Sequence, residues 1–234
     1  MKQNIAIIIP AYNESKNIPV LLKKIILHLP NAKVVIVDDS NKEQNKLLRS
    51  ILNRKKFDVQ LVSRGSKLGR GNAVLAGFAE ALKDKHIDYF FEMDADLSHD
   101  PSECKVLLEK IKTVDLVIGS RYLTGSHIRK WPLRRLILSR IVNIFLNIWL
   151  GLSLSDYTNG FRLYRRRVVE FLIIQKLKES GFIALSESAY KIKRAGFSIA
   201  EVSTTFTDRE YGKSSAGIWE HASSLLGAVR IRLS

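Results

Sequence analysis

The chain has 234 residues, of which 46% are hydrophobic and 26% charged, and its formal net charge is +15. The ordinary apolar content, with 13 glycines and 5 prolines, excludes disordered, fibrous and collagen-like classes. The single cysteine, Cys104, excludes a disulfide framework and is typical of a reducing compartment. A chain of this length buries enough surface to fold without disulfides.

The first half of the sequence alternates short apolar runs with amphipathic segments. The run at 4–9 is followed by Pro10 and lacks a small-residue cleavage site, so it predicts a strand, not a signal peptide. Similar β-branched or aromatic runs predict buried strands over 33–37, 58–62, 88–93 and 115–119. Helical spacing predicts helices over 16–28, 42–53, 70–85 and 101–112. This alternation predicts an α/β fold, with a mostly parallel sheet covered by helices on both faces.

The second half has longer helical segments. Its periodicity predicts helices over 131–150, 185–195 and 217–231, and a strand over 197–206. Internal repeats, low-complexity tracts and Pro/Ser-rich linkers are absent from the sequence. We therefore expect one α/β domain, with its ligands at the carboxyl ends of the strands.

The positive charge is concentrated between Arg121 and Arg167, which indicates a polyanionic partner: nucleic acid, an anionic membrane or phosphorylated ligands. The uncharged stretch 141–155 is too short to span a bilayer, and arginines at 129–140 and 162–167 flank it. A polar stripe recurs every four residues along the predicted helix, at Arg135, Ser139, Asn143 and Asn147. Two interpretations stay open: a helix packed in the core, or an interfacial helix with its arginines at phosphate level.

Two acidic motifs follow predicted strands. Asp38-Asp39 ends the second strand, and Asp94-Ala95-Asp96 ends the fourth. Paired carboxylates at a strand end suit a hard divalent cation shared with a substrate diphosphate. The carboxyl end of the sheet is therefore the predicted site.

The glycines around Arg70 invite comparison with phosphate-binding loops. Gly69 and Gly71 lack the third glycine of a dinucleotide site, where Val74 stands, so we reject that interpretation. They instead predict a tight helix start, with Arg70 and Lys67 near an anionic ligand. His99 is equally compatible with a loop role and a functional one.

Eight motifs occur in register, and together they resemble the dolichyl- or polyprenyl-phosphate mannosyltransferases of glycosyltransferase family 2. The resemblance runs from about residue 5 to 216, through PAYNE, VDDS, KLGRGNA, MDADLSHDP, GSRY, WPLRRLILSR, SDYTNGFRLYR and FTDREYGKS. It implies the GT-A type of fold for nucleotide-diphospho-sugar transferases. This chain departs from the family ending FxDRxxGxSK at Ser215, and whether Lys213 replaces the missing lysine stays open.

The resemblance also implies roles for individual residues. The implied nucleotide-sugar pocket is lined by Pro10, Tyr12, Glu14, Val37, Asp39, Asp94, Ala95, Asp96, Arg121 and Arg209. Asp96 and Ser98 are the implied ligands of Mg²⁺ or Mn²⁺. The lipid phosphate is implied to bind at Arg121, Arg135 and Ser139. The implied catalytic residues are Asp94, Asp96 and Arg121, whereas Asp156 is expected to orient Arg162 or its neighbours.

The implied activity is metal-dependent, inverting transfer of mannose from GDP-mannose to dolichyl or another polyprenyl phosphate. One catalytic domain over 1–234 would bind the nucleotide sugar through 1–120 and the acceptor through 121–234. Its place would be peripheral, on the cytoplasmic side of an anionic membrane, with or without a membrane-anchoring subunit.

Three alternatives stay open. The first is transfer from a UDP-sugar of the glucose type to the same lipid. The second is a nucleic-acid-binding protein, which is disfavoured because the charge lies beside an apolar helix, not among aromatic residues suited to base stacking, and because no recognised motif occurs. The third is a glycan-binding or scaffold protein without turnover, which the intact Asp94, Asp96 and Arg121 disfavour.

Overall fold

Strands and helices alternate through the first half of the chain, as the sequence predicts. The structure is a computed structural model that describes residues 4–55, 57–179, 181–209 and 227–233. The elements of this half are β1 (Ile5–Ala11), α1 (Ile18–His28), β2 (Lys33–Asp38), α2 (Lys42–Arg54), β3 (Gln60–Ser63), α3 (Arg70–Leu82), β4 (Tyr89–Glu92), α4 (Cys104–Lys110) and β5 (Leu116–Ser120). A 3₁₀ turn over Pro101–Glu103 leads directly into α4, because Asp100 accepts a hydrogen bond from the Ser102 main-chain N–H.

The second half contains elements that the sequence did not predict. It comprises β6 (His127–Arg129), α5 (Leu133–Leu150), β7 (Arg162–Arg165), α6 (Arg166–Gln175), α7 (Ile183–Arg194), β8 (Ile199–Ser203) and β9 (Thr205–Thr207). The prediction missed β6, β7 and α6. The single strand predicted over 197–206 was wrong, because that segment divides into β8 and β9. Residues 227–233 are helical, and the rest of the helix predicted over 217–231 lies outside the described residues.

Seven strands form the main sheet, in the order β3-β2-β1-β4-β7-β5-β8. Every pairing in it is parallel except those of β7, which runs antiparallel to β4 and β5. The predicted mostly parallel sheet is confirmed, with β7 as the exception. Because β7 runs in reverse, it begins at Arg162, which pairs with Glu92 and Ile118 near the carboxyl ends of β4 and β5. The segment before β7 therefore lies at the ligand-binding edge.

Helices cover both faces of the sheet, so the predicted layering is also confirmed. Buried residues of α3, α5, α6 and α7 pack on one face, around Phe78. On the other face α1, α2 and α4 pack around Leu21 and Leu107. Glycine is required at position 77 of α3, because a Cβ there would lie 2.5 Å from Ile8 Cγ2 of β1. This close approach seats α3 against the centre of the sheet.

The predicted polar stripe of α5 faces the protein. Asn143 is buried, accepts a hydrogen bond from the Tyr157 main-chain N–H at 2.7 Å and donates to the Ser139 main-chain oxygen. Asn147 accepts bonds from the Leu154 main-chain N–H and the Tyr157 hydroxyl. The two amides thereby hold the loop between α5 and β7. The opposite, apolar side of α5 is exposed.

The arginines at 162–167 do not form the membrane-facing group that the sequence suggested. Arg162 is fully buried and donates to the main-chain oxygens of Tyr157, Asn159 and Leu185. Arg165 and Arg166 donate to main-chain oxygens over 111–114 and 82–87, at the other end of β7. For these three arginines the expectation was wrong, because their guanidiniums satisfy carbonyl groups of the protein itself. Arg167 differs, since its side chain is 64% exposed and forms an ion pair with Asp115.

We expect Arg162→Met to lower the free energy of unfolding by about 3 kcal/mol, because several buried carbonyl oxygens lose their donor. Denaturant unfolding measures the change. The matched control is Arg49→Met, on the exposed side of α2, which should change stability by less than about 0.5 kcal/mol. Equal effects of the two substitutions would contradict the structural role of Arg162.

Candidate active site

Three neighbouring strands deliver the predicted donor-side residues to one edge of the sheet. β2, β1 and β4 are adjacent and parallel, and they end at Asp38, Ala11 and Glu92. Pro10 of β1 pairs with Val37 of β2 in the ladder. The side chain of Val37 is fully buried in the core, as is nearly all of Ala95, so these two residues offer main-chain groups at most. The loops that follow the three strands form the candidate site.

The two aspartates at the end of β2 have different partners. Asp38 is buried and accepts hydrogen bonds from Ser40 and from Asn45 at 2.9 Å. Asp39 accepts two hydrogen bonds from Arg64, both at 2.6 Å, and one from the Leu68 main-chain N–H at 3.0 Å. Asp39 thus lies at the predicted edge, where its carboxylate fixes the loop that leads into α3.

The loop after β1 places Tyr12 and Glu14 at the same edge. Tyr12 is exposed, and the Lys67 ammonium lies 5.2 Å from the centroid of its ring. Glu14 accepts a hydrogen bond from Asn17 at 2.6 Å. Burial raises the pKa of Glu14, and the nearby charge of Asp96 adds to the shift. Glu14 is therefore a carboxyl group close to the aspartates that follow β4.

Asp94 has one carboxylate oxygen fixed by the protein. Arg70 donates to Asp94 Oδ1 from Nε at 3.0 Å and from Nη2 at 2.6 Å. Burial alone would raise the pKa of Asp94, but Arg70 holds it below its ordinary value. Arg70 also forms an ion pair with the buried Glu92. The guanidinium of Arg70 is occupied by the protein's own carboxylates, and the expectation that Arg70 lies near an anionic ligand stays a prediction.

Asp96 and Ser98 lie on a tight loop after β4. Asp96 accepts a hydrogen bond from the Ser98 main-chain N–H at 3.2 Å and forms an ion pair with Arg209, also at 3.2 Å. Leu97, between them, has a φ of 67°, a left-handed conformation that is unfavourable for leucine. The strained turn brings the Ser98 main-chain N–H to the Asp96 carboxylate.

Arg121, at the end of β5, is held by a buried ion pair. Asp156 accepts hydrogen bonds from Arg121 Nε at 2.7 Å and Nη2 at 2.8 Å. Burial would raise the pKa of Asp156, but the guanidinium holds it below its ordinary value. Asp156 therefore orients Arg121. The expected partner, Arg162, was wrong, because Arg162 is occupied by main-chain carbonyl oxygens.

Arg135 and Ser139 lie one turn apart on α5, on the same side of the site as Arg121. Arg135 forms an ion pair with Asp208 at 2.8 Å, and the Ser139 hydroxyl accepts a hydrogen bond from Tyr122 at 2.6 Å. The expectation that the charge does not lie among aromatic residues was wrong. Arginines and aromatic rings alternate in space here, at Arg121, Tyr122, Trp131, Arg135, Arg140 and Phe206.

A protein-family model matches the part of the chain that carries most of this site. The family model described as "Glycosyl transferase family 2" matches residues 6–173, a span that includes the strands β1, β2, β4 and β5 and their site loops. The chain belongs to glycosyl transferase family 2.

Two relatives of this glycosyltransferase are similar over most of their length. It is 37% identical over 214 residues to the polyprenol monophosphomannose synthase of Mycolicibacterium smegmatis, covering 91% of this chain and 80% of the relative. It is 34% identical over 207 residues to the undecaprenyl-phosphate mannosyltransferase of Micrococcus luteus, covering 88% of this chain and 85% of the relative.

Solved structures share the GT-A fold of this glycosyltransferase. Glucosyl-3-phosphoglycerate synthase of Mycobacterium tuberculosis, in complex with Mn²⁺, uridine diphosphate and glucosyl-3-phosphoglycerate, superposes with a TM-score of 0.67. The match covers 99% of this chain and 79% of that one at 17% identity. A likeness at that identity concerns the fold alone.

The loop after β4 contains Asp94, Ala95, Asp96 and Ser98, and we call it the DAD loop. Its residues fit a divalent cation. The Ser98 hydroxyl is buried and has no hydrogen-bond partner among the described residues, which leaves a hard oxygen donor in the same loop as Asp96. Hard oxygen donors are the ligands that Mg²⁺ and Mn²⁺ prefer. Within the described ranges no group of three His, Cys, Asp or Glu side chains could hold a metal by itself. A cation here would therefore need further oxygen ligands, as a diphosphate supplies.

Sequence reasoning missed one part of this glycosyltransferase's site and left the role of another open. One is a series of polar contacts: the Tyr164 hydroxyl donates a hydrogen bond to Glu92 at 2.6 Å, Glu92 forms an ion pair with Arg70, and Arg70 forms another with Asp94. Charged residues inside otherwise apolar segments were the available signal. The other is His99, which is buried, hydrogen-bonds Asn159 through Nε2 at 3.0 Å and accepts from the Asp94 main-chain N–H through Nδ1. The predicted Lys213 and Ser215 lie outside the described residues.

We expect Arg70→Leu to lower the free energy of unfolding by about 3 kcal/mol, because it leaves the buried Glu92 and the partly buried Asp94 without their counter-charge. The double variant Arg70→Leu with Glu92→Gln should regain about half of this loss, since it removes one carboxylate and keeps an acceptor for Tyr164. Urea unfolding of the three proteins checks both statements. A double variant no more stable than Arg70→Leu would contradict the ion-pair account.

Proposed function

We propose that this glycosyltransferase moves mannose from GDP-mannose to the phosphate of a polyprenyl lipid, with inversion at the anomeric carbon. The observation that carries the proposal is the juxtaposition of two charge clusters at one sheet edge. The acidic DAD loop follows β4, and the cluster of Arg121 and Arg135 lies beside the end of β5. Support for the sugar and the lipid comes from the two relatives, whose names specify mannose and polyprenyl or undecaprenyl phosphate.

In the proposed reaction, an oxygen of the lipid phosphate attacks the anomeric carbon of mannose. The new bond joins that carbon to the lipid phosphate, and the bond to the β-phosphate of GDP breaks, so GDP leaves with the bonding electrons. A phosphate monoester is already anionic and needs little help from a general base. The main requirement is to bring two anions together and stabilise the leaving diphosphate.

We assign the donor to residues of 1–120, with Arg209, and the acceptor phosphate to residues of 121–234. In the donor part, Tyr12, Glu14 and Asp39 border the nucleotide, and the open oxygen of Asp94 meets the sugar. In the acceptor part, the guanidiniums of Arg121 and Arg135 and the hydroxyl of Ser139 bind the phosphate. Arginine suits this task because its planar fork matches phosphate oxygens.

Asp96 and Ser98 would hold Mg²⁺ or Mn²⁺. When bound, the cation neutralises charge that develops on the leaving diphosphate. We assign Arg209, which forms an ion pair with Asp96 in the structure, to a donor phosphate. The protein's own contribution is to hold the anions close and to orient them.

The alternative donor is a UDP-sugar. It should be measured because a solved structure with the same fold contains Mn²⁺ and uridine diphosphate. The nucleic-acid alternative loses its main argument, because much of the arginine surplus is engaged within the protein. Arg162, Arg165 and Arg166 bind main-chain carbonyls, and Arg121 binds Asp156.

We expect the full chain, supplied with Mn²⁺, to transfer radiolabelled mannose from GDP-mannose to undecaprenyl phosphate in detergent, giving an organic-extractable product. Asp96→Asn should lower turnover at least about a hundredfold, because charge stabilisation of the leaving group is lost. The matched control is Asp100→Asn, in the same loop, whose carboxylate caps the turn before α4. Transfer from UDP-glucose with none from GDP-mannose would overturn the proposed donor, and undiminished turnover of Asp96→Asn in EDTA would overturn the metal assignment.

We further propose that this chain docks on an anionic membrane through the apolar side of α5. Large apolar side chains are exposed along that side, at Leu133, Ile137, Ile141, Ile144 and Ile148. The exposed Arg134 and Arg140 lie on the same helix. None of the helices in the described ranges is long and apolar enough to cross a bilayer. Such a helix binds by apolar burial together with attraction to anionic lipid.

We expect the chain to float with vesicles that contain anionic lipid, and to float less as salt rises. The double substitution Ile141→Glu and Ile148→Glu should weaken binding at least tenfold, because each isoleucine contributes about 1.5 kcal/mol when buried. Leu27→Glu is the matched control: Leu27 is 75% exposed, like Ile148 at 76%, but it lies on α1, on the other face of the sheet. Equal flotation of all variants would rule out docking through α5.

A further inference from the structure

Three aromatic rings surround the guanidinium of Arg121. Its central carbon lies 5.5 Å from the ring centroid of Tyr122 and 5.3 Å from those of Trp131 and Phe206. Trp131 and Phe206 also contact each other, with centroids 5.2 Å apart and ring planes at 68°. A cation at such distances is attracted to the face of an aromatic ring.

Trp131 is the ring that Arg121 shares with Arg135. The central carbon of the Arg135 guanidinium lies 4.2 Å from the Trp131 centroid, the shortest cation–π distance in the described part of the chain. The two arginines come from distant elements, since Arg121 follows β5 and Arg135 lies on α5. Within the described ranges, Trp131 is the aromatic residue that contacts both guanidiniums.

The two arginines are restrained to different degrees by their carboxylates. Arg121 is buried and held by Asp156 through two hydrogen bonds. The Arg135 side chain is 37% exposed and forms an ion pair with Asp208, whose side chain is 25% exposed. An exposed ion pair is worth little by itself. The Trp131 ring and Asp208 therefore both restrain the Arg135 guanidinium, and the ring is the partner that also contacts Arg121.

The backbone conformation before Trp131 and the environment of its indole N–H both indicate that the ring face is the important part of this side chain. Lys130, just before Trp131, has a φ of 64°, an unfavourable conformation that persists only where surrounding contacts enforce it. The Trp131 N–H is buried and has no hydrogen-bond partner in the ranges described. Because the N–H makes no bond, the contribution of this side chain comes from its ring.

We propose that Trp131 is a positioning residue for the acceptor: its ring holds Arg121 and Arg135 at the separation at which both guanidiniums bind one phosphate monoester. This rests on the proposed function, in which that monoester is the polyprenyl phosphate. Trp131 touches the two arginines and acts through them, while the donor side depends on other residues.

The test compares Trp131→Leu and Trp131→Phe with the wild-type enzyme in steady-state transfer. Trp131→Leu should raise the KM for undecaprenyl phosphate about tenfold, because both arginines lose their cation–π contact with the Trp131 ring. The KM for the sugar nucleotide should change less than about twofold. Trp131→Phe loses the five-membered ring of the indole with its N–H but keeps an aromatic face, so it should recover much of the acceptor affinity.

The matched control is Trp149, at the other end of α5. Its ring has the same kind of partner, Arg232 at 4.9 Å, and its N–H donates to the Ala228 main-chain oxygen at 2.9 Å. Trp149→Leu should lower the melting temperature and leave the ratio of the two KM values unchanged. Equal changes of both KM values in Trp131→Leu, or the same KM split in Trp149→Leu, would overturn the proposal.

A binding measurement separates this inference from the proposed function. Titration calorimetry with farnesyl phosphate and with inorganic phosphate reports the affinity for a phosphate group without any sugar transfer. We expect Trp131→Leu to weaken farnesyl phosphate binding about tenfold relative to wild type. Unchanged binding would overturn the role of Trp131, even if the enzyme transfers mannose. Absence of transfer by a wild-type protein that still binds farnesyl phosphate would instead overturn the proposed function alone.

Discussion

The buried ion pair between Arg121 and Asp156 connects the central sheet to the candidate acceptor site. One carboxylate accepts hydrogen bonds from the Arg121 side chain, from its main-chain N–H at 3.1 Å and from the main-chain N–H groups of Thr158 and Asn159. It therefore fixes both a guanidinium and the loop that enters β7. Burial of an unpaired charge is costly, so each partner requires the other. The sheet edge and the arginine are positioned together.

A similar arrangement governs the donor side. Arg70 fixes one oxygen of Asp94, and Arg64 fixes Asp39. In each case a cation of the protein holds a carboxylate that our assignment places next to the nucleotide sugar. For Asp94, burial would raise the pKa, but Arg70 holds it below its ordinary value. The basic excess of the chain thus has three uses: orienting carboxylates, satisfying main-chain carbonyls, and presenting a few guanidiniums around Trp131.

Much of the fold could be predicted, because its pattern is local. Apolar runs of strand length alternate with helical periodicity through residue 119, and this alternation fixes the parallel sheet and its ligand edge. The DAD loop could be placed at that edge for the same reason. β7 escaped prediction because it has four residues with arginine at both ends. Its neighbours in the sheet, β4 and β5, supply the burial that its own sequence does not signal.

By itself, the sequence determined the α/β fold class, the ends of the first strands and, through motifs in register, the family of the chain. Only the tertiary structure decided which charges meet, because the partners lie far apart along the chain: Asp156 is 35 residues from Arg121, and Asp208 is 73 from Arg135. A run of arginines has the same local pattern whether its members bind carbonyls, carboxylates or a ligand. Burial and the geometry of opposing elements distinguish these roles, and both arise only when the sheet assembles.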